Sequence, residues 1–259
     1  MPRGYRLRVT LPFSGGPRPV VTVIQSSPDV SLDRFGEWLG DVELRIVAAF
    51  AGESVPAVDQ VGDGLVVLGG HMSAHDDATA AWLPELRALL ADASVQGVPT
   101  LGICLGAQLL AAARGGRVQV AAPPGRESGV VDVRWRPEAT GDAVVGAVAA
   151  LADARHSAPQ PSMHADAVVD LPRGAVWLAS SAMYPYQAFR IGSAWGVQFH
   201  PEAGADTLRG WADGHDDVDT EAVLSAYTAR QAEVEAVGRT LAESFAAHVR
   251  AGAAEAVAV

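Results

Sequence analysis

The 259-residue chain contains no lysine and no asparagine. All 19 basic residues are arginine, which excludes Schiff-base lysine chemistry and a phosphate-binding loop that needs Gly-Lys-Ser/Thr. Cysteine occurs once, at Cys104, so an internal disulfide is impossible and a reducing, cytoplasmic setting is expected. No run approaches the roughly 18 uninterrupted apolar residues of a spanning helix, so no membrane partner is expected. Positive charge is scarce as well. The formal net charge is −11 and the pI about 5.0, with no basic cluster to hold a phosphate backbone, which argues against nucleic acid as a partner. A dinucleotide fingerprint is missing too: Gly69-Gly70 lacks the remaining glycines, and no cofactor is expected.

What is present is a large apolar fraction, 49%, with 19% charged residues, enough for one sizeable core. Residues 1–19 are basic and rich in Pro and Gly, with apolar runs too short for a signal-peptide core, and read as a tail. Residues 251–259 read as a frayed end, leaving one domain over 20–250. Within it, residues 20–24, 44–48, 65–68 and 98–103 read as buried strands. Residues 31–39, with Ser31 as N-cap, and 80–93 read as helices between them. The alternation predicts an α/β fold with an open, mostly parallel, doubly wound sheet of flavodoxin-like type. From Arg117 onward, short runs at 117–121, 130–134, 175–180, 187–191 and 194–199 predict antiparallel additions to that sheet. A helical C-terminal addition is expected over about 205–250, with Val223, Tyr227, Val234, Val237, Leu241, Phe245 and Val249 on its apolar face.

Cys104 stands where an apolar run meets a helical one, with Gly102 two residues before it and Gly106 two after. A sharp strand-to-helix turn needs such glycines, because a neighbouring Cβ would collide with crowded backbone. The helix that follows, 105 to about 114, ends at Gly115-Gly116. A thiol at its start sits at the positive end of the helix dipole, which favours the thiolate and hence nucleophilic chemistry. The bland alternative is a small core side chain.

The second constellation is Trp195-Gly196-Val197-Gln198-Phe199-His200-Pro201-Glu202. At the end of a strand, residues two apart project to one side, so Glu202 can reach the His200 imidazole. A carboxylate partner fixes the tautomer of a general base and stabilises its imidazolium. The alternative, a surface turn with His and Glu as accidental neighbours, weakens beside the cysteine turn. Leu68-Gly69-Gly70 ends a third strand on the same sheet edge, where a bare N–H can face a developing oxyanion.

Together these pieces resemble the class I (triad) glutamine amidotransferases, and most of all their free-standing, GMP-synthetase-like members. The matching segments are 66–70, 102–108 and 196–202, with weaker matches at Pro28-Asp29, 72–77, 178–181 and 185–189. The resemblance spans roughly residues 20–247. It implies Cys104 as nucleophile, His200 as acid/base, Glu202 as the orienting carboxylate, and the N–H groups of Gly70 and Leu105 as oxyanion hole. It also implies Gln108 as a contact to bound glutamine, a γ-glutamyl thioester intermediate, and glutamate and ammonia as products.

Two departures stand out. His71 replaces the proline that usually follows the glycine pair, and Met163-His164-Ala165-Asp166 stands where relatives often show Trp-His-Gly-Asp. His164 is retained as a candidate substrate contact. With room only for the glutamine-hydrolysing unit, any ammonia-accepting synthase is expected to be a separate chain. A γ-glutamyl peptidase or hydrolase would share every one of these residues, and a non-catalytic binding protein is the third reading. The segment 213–219 and the trio His75, Asp76 and Asp77 meet no metal-ligand spacing. The first reads as a solvated acidic loop, and Asp76 or Asp77 as cap of the following helix.

Overall fold

The computed structural model describes residues 18–257, so nearly all of the expected tail, and Ala258 and Val259, lie outside the described residues. The four parallel-type runs form β1 (Val20–Gln25), β2 (Glu43–Ala48), β3 (Gly64–Val67) and β4 (Thr100–Ile103). Then come β5 (Arg117–Gln119), β6 (Glu127–Trp135), β7 (Ser157–His164), β8 (Ala167–Asp170), β9 (Val176–Ser180), β10 (Ala188–Ile191) and β11 (Ala194–Val197). Nine strands join in the order β2-β1-β3-β4-β11-β10-β9-β6-β7. Pairing is parallel from β2 through β11 and antiparallel beyond it. This is the doubly wound order of flavodoxin-like sheets with an antiparallel extension, as the sequence predicts.

The helices are α1 (Phe35–Trp38), α2 (Leu83–Gln96), α3 (Leu105–Ala113), α4 (Gly146–Ala149), α5 (Ala205–Asp213) and α6 (Thr220–Val257). Alternation along the strands feeds two apolar layers. Val21, Val23, Val66, Leu101 and Ile103 pack with Phe35, Val237, Leu241 and Phe245 on one face. Ile24, Leu65 and Val67 pack with Leu86, Leu90, Leu109 and Leu110 on the other. All seven apolar positions expected on α6 are buried, each stabilising by about 1.5–3 kcal/mol.

Five sequence expectations are corrected. The helix over 31–39 shrinks to α1, because Asp33 adopts φ +42° and breaks the helical path. The Asp33 carboxylate instead accepts hydrogen bonds from Gly204 N–H and the Thr207 hydroxyl at the start of α5. β2 is an edge strand rather than a buried one, with Ile46 exposed. β5 leaves the main sheet and pairs with β8 in a two-stranded one. Neither Asp76 nor Asp77 caps α2: Asp76 accepts Ser73 N–H, and Asp77 pairs with Arg87. The helix α6 continues to Val257 instead of ending near Arg250, with a kink at Arg230.

Candidate active site

Strand register assembles the site. Val67 pairs with Gly102, and Ile103 pairs with Val197, so the C-terminal ends of β3, β4 and β11 lie side by side. Beyond them come Gly69-Gly70, Cys104 and His200 on one rim of the sheet, where open α/β sheets place their sites. Cys104 N–H donates to Val197 O (2.8 Å), which ties the β4 turn to β11.

Cys104 has φ +51° and ψ −104°, a conformation L-residues rarely adopt. The surrounding glycines explain how it is held. A Cβ on Gly102 would lie 2.6 Å from Gly106 C and O, and one on Gly106 would lie 2.1 Å from Val67 O. Only bare backbone lets α3 start this close to β3 and β4. The turn leaves Cys104 buried but facing a cavity of about 240 Å³ that is also lined by Gly70, Gln108, Met163, His164, Asp166 and His200.

His200 Nδ1 lies 2.7 Å from Glu202 Oε1, with both side chains buried. The route differs from the strand alternation expected of residues 195–199. β11 stops at Val197, and Glu202 folds back through a turn closed by Ala203 N–H to His200 O (3.2 Å). Cys104 lies near enough for its charge to act on the ring. Gly69 marks the closeness of the three: a Cβ there would lie 2.9 Å from His200 Cε1 and 3.5 Å from Cys104 Cβ. Trp211 of α5 packs on the imidazole at 4.4 Å between centroids.

Burial pulls His200 toward its neutral form, but the negative charges of Glu202 and Cys104, with hydrogen bonds to both, push its pKa up to about 10. The other Glu202 oxygen, Oε2, is buried without a hydrogen-bond partner among the described residues, so this carboxylate depends on the imidazolium. An unfolded histidine titrates near 6.5. The stabilisation is therefore complete below about pH 6.5, declines as pH rises, and is gone once pH passes about 10. The difference in urea midpoint between wild type and Glu202→Gln should shrink across that window. A difference constant with pH would contradict the buried ion pair.

Gly70 adjoins Leu105, since a Cβ on it would lie 2.8 Å from Leu105 Cδ2. Among the described residues neither the Gly70 nor the Leu105 amide has a backbone acceptor, as expected for Leu105 in the first turn of a helix. Gln108 Nε2 donates to Asp166 O (2.9 Å) and to Gln198 Oε1 (3.3 Å), and Gln198 Nε2 reaches Cys104 Sγ at 3.6 Å. Gln198 lies inside the quoted motif, yet sequence reasoning assigned it no part.

His164 lies in the cavity wall with both ring nitrogens engaged: Nδ1 is 3.0 Å from Asp166 O and Nε2 is 3.1 Å from Glu127 Oε2. It therefore offers the cavity its ring rather than a free nitrogen. Glu127, missed in the sequence, also accepts from Ser181 and Gln187. Tyr184 packs on the His164 ring, 5.0 Å between centroids. His71 sits at the cavity mouth, half exposed, paired with Asp29 at 2.7 Å. Arg126 and His215 complete the rim and were not foreseen as site residues, His215 having been read as part of a solvated loop.

Comparison with known proteins bears on the family and the fold. Residues 41–209 match the sequence profile of the family described as glutamine amidotransferase class-I. A GMP synthase [glutamine-hydrolyzing] of Streptococcus pneumoniae strain CGSP14 is 32% identical over 157 residues, covering 58% of this chain and 27% of that protein. The match thus spans about a quarter of that relative's length. A glutamine amidotransferase of Thermotoga maritima superposes with a TM-score of 0.76 at 25% identity, covering 88% of this chain and 97% of that one. A glutamine amidotransferase of Methylobacillus flagellatus gives 0.76 at 27% identity, with 89% and 94% covered. The profile match takes in the cysteine turn and the His200–Glu202 segment together, on a fold that superposes on these structures: the chain belongs to the class-I glutamine amidotransferase family.

Proposed function

We propose that this chain hydrolyses the γ-carboxamide of glutamine to glutamate and ammonia through Cys104, His200 and Glu202. The observation that carries the reading is the strained Cys104 turn opening on a cavity beside a buried His200–Glu202 pair. The Cys104 thiolate attacks the γ-carbonyl carbon, and its C=O electron pair moves to oxygen. The N–H groups of Gly70 and Leu105 receive that oxyanion. As the tetrahedral intermediate collapses, the C–N bond breaks, and His200 delivers its proton to the departing ammonia. His200, now a base, takes a proton from water, whose oxygen attacks the γ-glutamyl thioester, and glutamate leaves as Cys104 regains its thiolate. Glu202 holds the ring and its positive charge throughout.

Relatives that bear the name GMP synthase support an ammonia-accepting synthase as partner. Steady-state assays with glutamine and with γ-glutamyl dipeptides test the reading. Turnover of glutamine with ammonia released supports it. Turnover of the dipeptides alone replaces it with a γ-glutamyl peptidase. Iodoacetamide labelling of Cys104 no faster than that of a free thiol, with neither substrate consumed, replaces it with a binding protein.

A further inference from the structure

Gly70 N–H can receive an oxyanion only if the segment that carries it stays in place, and few hydrogen bonds hold that segment. β1 and β3 pair as far as Ile24 and Val67, and their last main-chain bond runs from Leu68 N–H to Ile24 O (3.0 Å). Beyond it, Gly69, Gly70, His71 and Met72 make no backbone–backbone hydrogen bond among the described residues. The hydrogen bonds this segment does make both come from His71. Its N–H donates to Ser27 Oγ (3.3 Å), and its Nε2 lies 2.7 Å from Asp29 Oδ2. We propose that His71 is a positioning residue for the reaction: it ties the Gly69–Gly70 segment to the turn after β1 and so holds Gly70 N–H toward the oxyanion. This rests on the reading of that N–H as part of the oxyanion hole facing Cys104.

The far end of the tie is firmly built. Gln25 Nε2 donates to Ser27 O (2.9 Å) and to Pro28 O (3.3 Å), and Val30 N–H closes the turn on Ser27 O (3.3 Å). Ser27 itself is buried. Asp29 O accepts Trp211 Nε1–H (3.2 Å), and the same indole packs on the His200 imidazole. A chain of contacts thus runs from Gly70 through His71, Asp29 and Trp211 to His200, so one framework sets the oxyanion donor and the acid/base relative to each other. Two glycines in a row have no side chains to restrain their peptide planes, and an anchor on the next residue does so instead. The proline that usually follows the glycine pair could make neither bond, having no N–H and no polar ring atom. The tie therefore belongs to the residue that sets this chain apart. His71 and Asp29 are both half exposed, so their pair adds little stability, and its effect falls on the position of the loop.

The test uses His71→Ala and Asp29→Ala, singly and together, with His71→Gln as the conservative variant. In each single alanine variant kcat for glutamine should fall about 10- to 100-fold, with KM within about twofold of wild type. The double variant should be no slower than either single one, because both remove the same tie. His71→Gln keeps an N–H donor for Asp29 and should recover kcat to within about threefold of wild type. Iodoacetamide should label Cys104 at the wild-type rate in all of them, since displacement of iodide by the thiolate forms no oxyanion. The urea midpoints should stay close to wild type. An unchanged kcat in both single variants would overturn the proposal. So would additive losses in the double variant, a loss carried by KM, or labelling that slows in step with kcat, which would mark a general disturbance of the site. If wild type consumes neither glutamine nor a γ-glutamyl dipeptide, the reading of Cys104 fails on its own. Hydrogen exchange at the His71 amide then decides the tie: faster exchange in Asp29→Ala supports it, and unchanged exchange overturns it.

Discussion

Cys104→Ala is expected to lower kcat for glutamine by about five to six orders of magnitude, with the folded structure retained. The large loss follows from the chemistry, since without the thiolate no thioester forms and His200 has nothing to protonate against. The small structural cost follows from the packing. Cys104 is 6% exposed and faces the cavity, and the one hydrogen-bond contact of its sulfur among the described residues is with Gln198 Nε2, at 3.6 Å. Alanine inherits the same positive φ, so the strain of the turn is neither added nor relieved. Circular dichroism and a urea titration should place the variant close to wild type. A variant that keeps more than about a tenth of wild-type turnover would rule out covalent catalysis at this residue.

The second large effect is on stability. Gly106→Ala places a Cβ 2.1 Å from Val67 O and 2.9 Å from Val67 C, which are backbone atoms of β3 and cannot rotate away. Either α3 or β3 must shift, at an expected cost of about 3 kcal/mol or more. Since α3 begins at the cysteine turn, activity should fall with it. Gly141→Ala serves as the control: nothing lies within 4 Å of its Cβ, and it should change stability by no more than about 0.5 kcal/mol. Equal urea midpoints for the two variants would mean that the close approach of α3 to β3 is not what holds the turn.

Much of this was readable from residue order, for identifiable reasons. The parallel strands announce themselves because both faces are covered and apolar residues dominate, with every position buried in Gly64–Val67 and Thr100–Ile103. The cysteine turn is readable because its constraint is local: Gly102 and Gly106 stand two residues either side of the sulfur. His200 and Glu202 are likewise neighbours, although the backbone joins them by a turn rather than an extended strand.

What was hidden depends on contacts distant in sequence. β7 carries Pro159 and Pro161, which blunt any strand signal and are tolerated because β7 is the last strand of the sheet. The partner of His164 is Glu127, which lies 37 positions away on the neighbouring strand, and only the β6–β7 register brings them opposite. Arg126 belongs to no motif and reaches the cavity only because Tyr184 and Asp166 pin its loop. Trp211 meets His200 because Asp33, far along the chain, anchors the start of α5.

A covalent intermediate on Cys104 is what rapid acid quench of the enzyme mixed with glutamine, followed by peptide mass mapping, looks for. One glutamyl group should be found as an acid-stable thioester on the peptide that contains Cys104 when the enzyme is quenched during turnover, and should be missing from Cys104→Ala. Steady glutamine hydrolysis with no adduct on Cys104, or with the adduct on another residue, would contradict it.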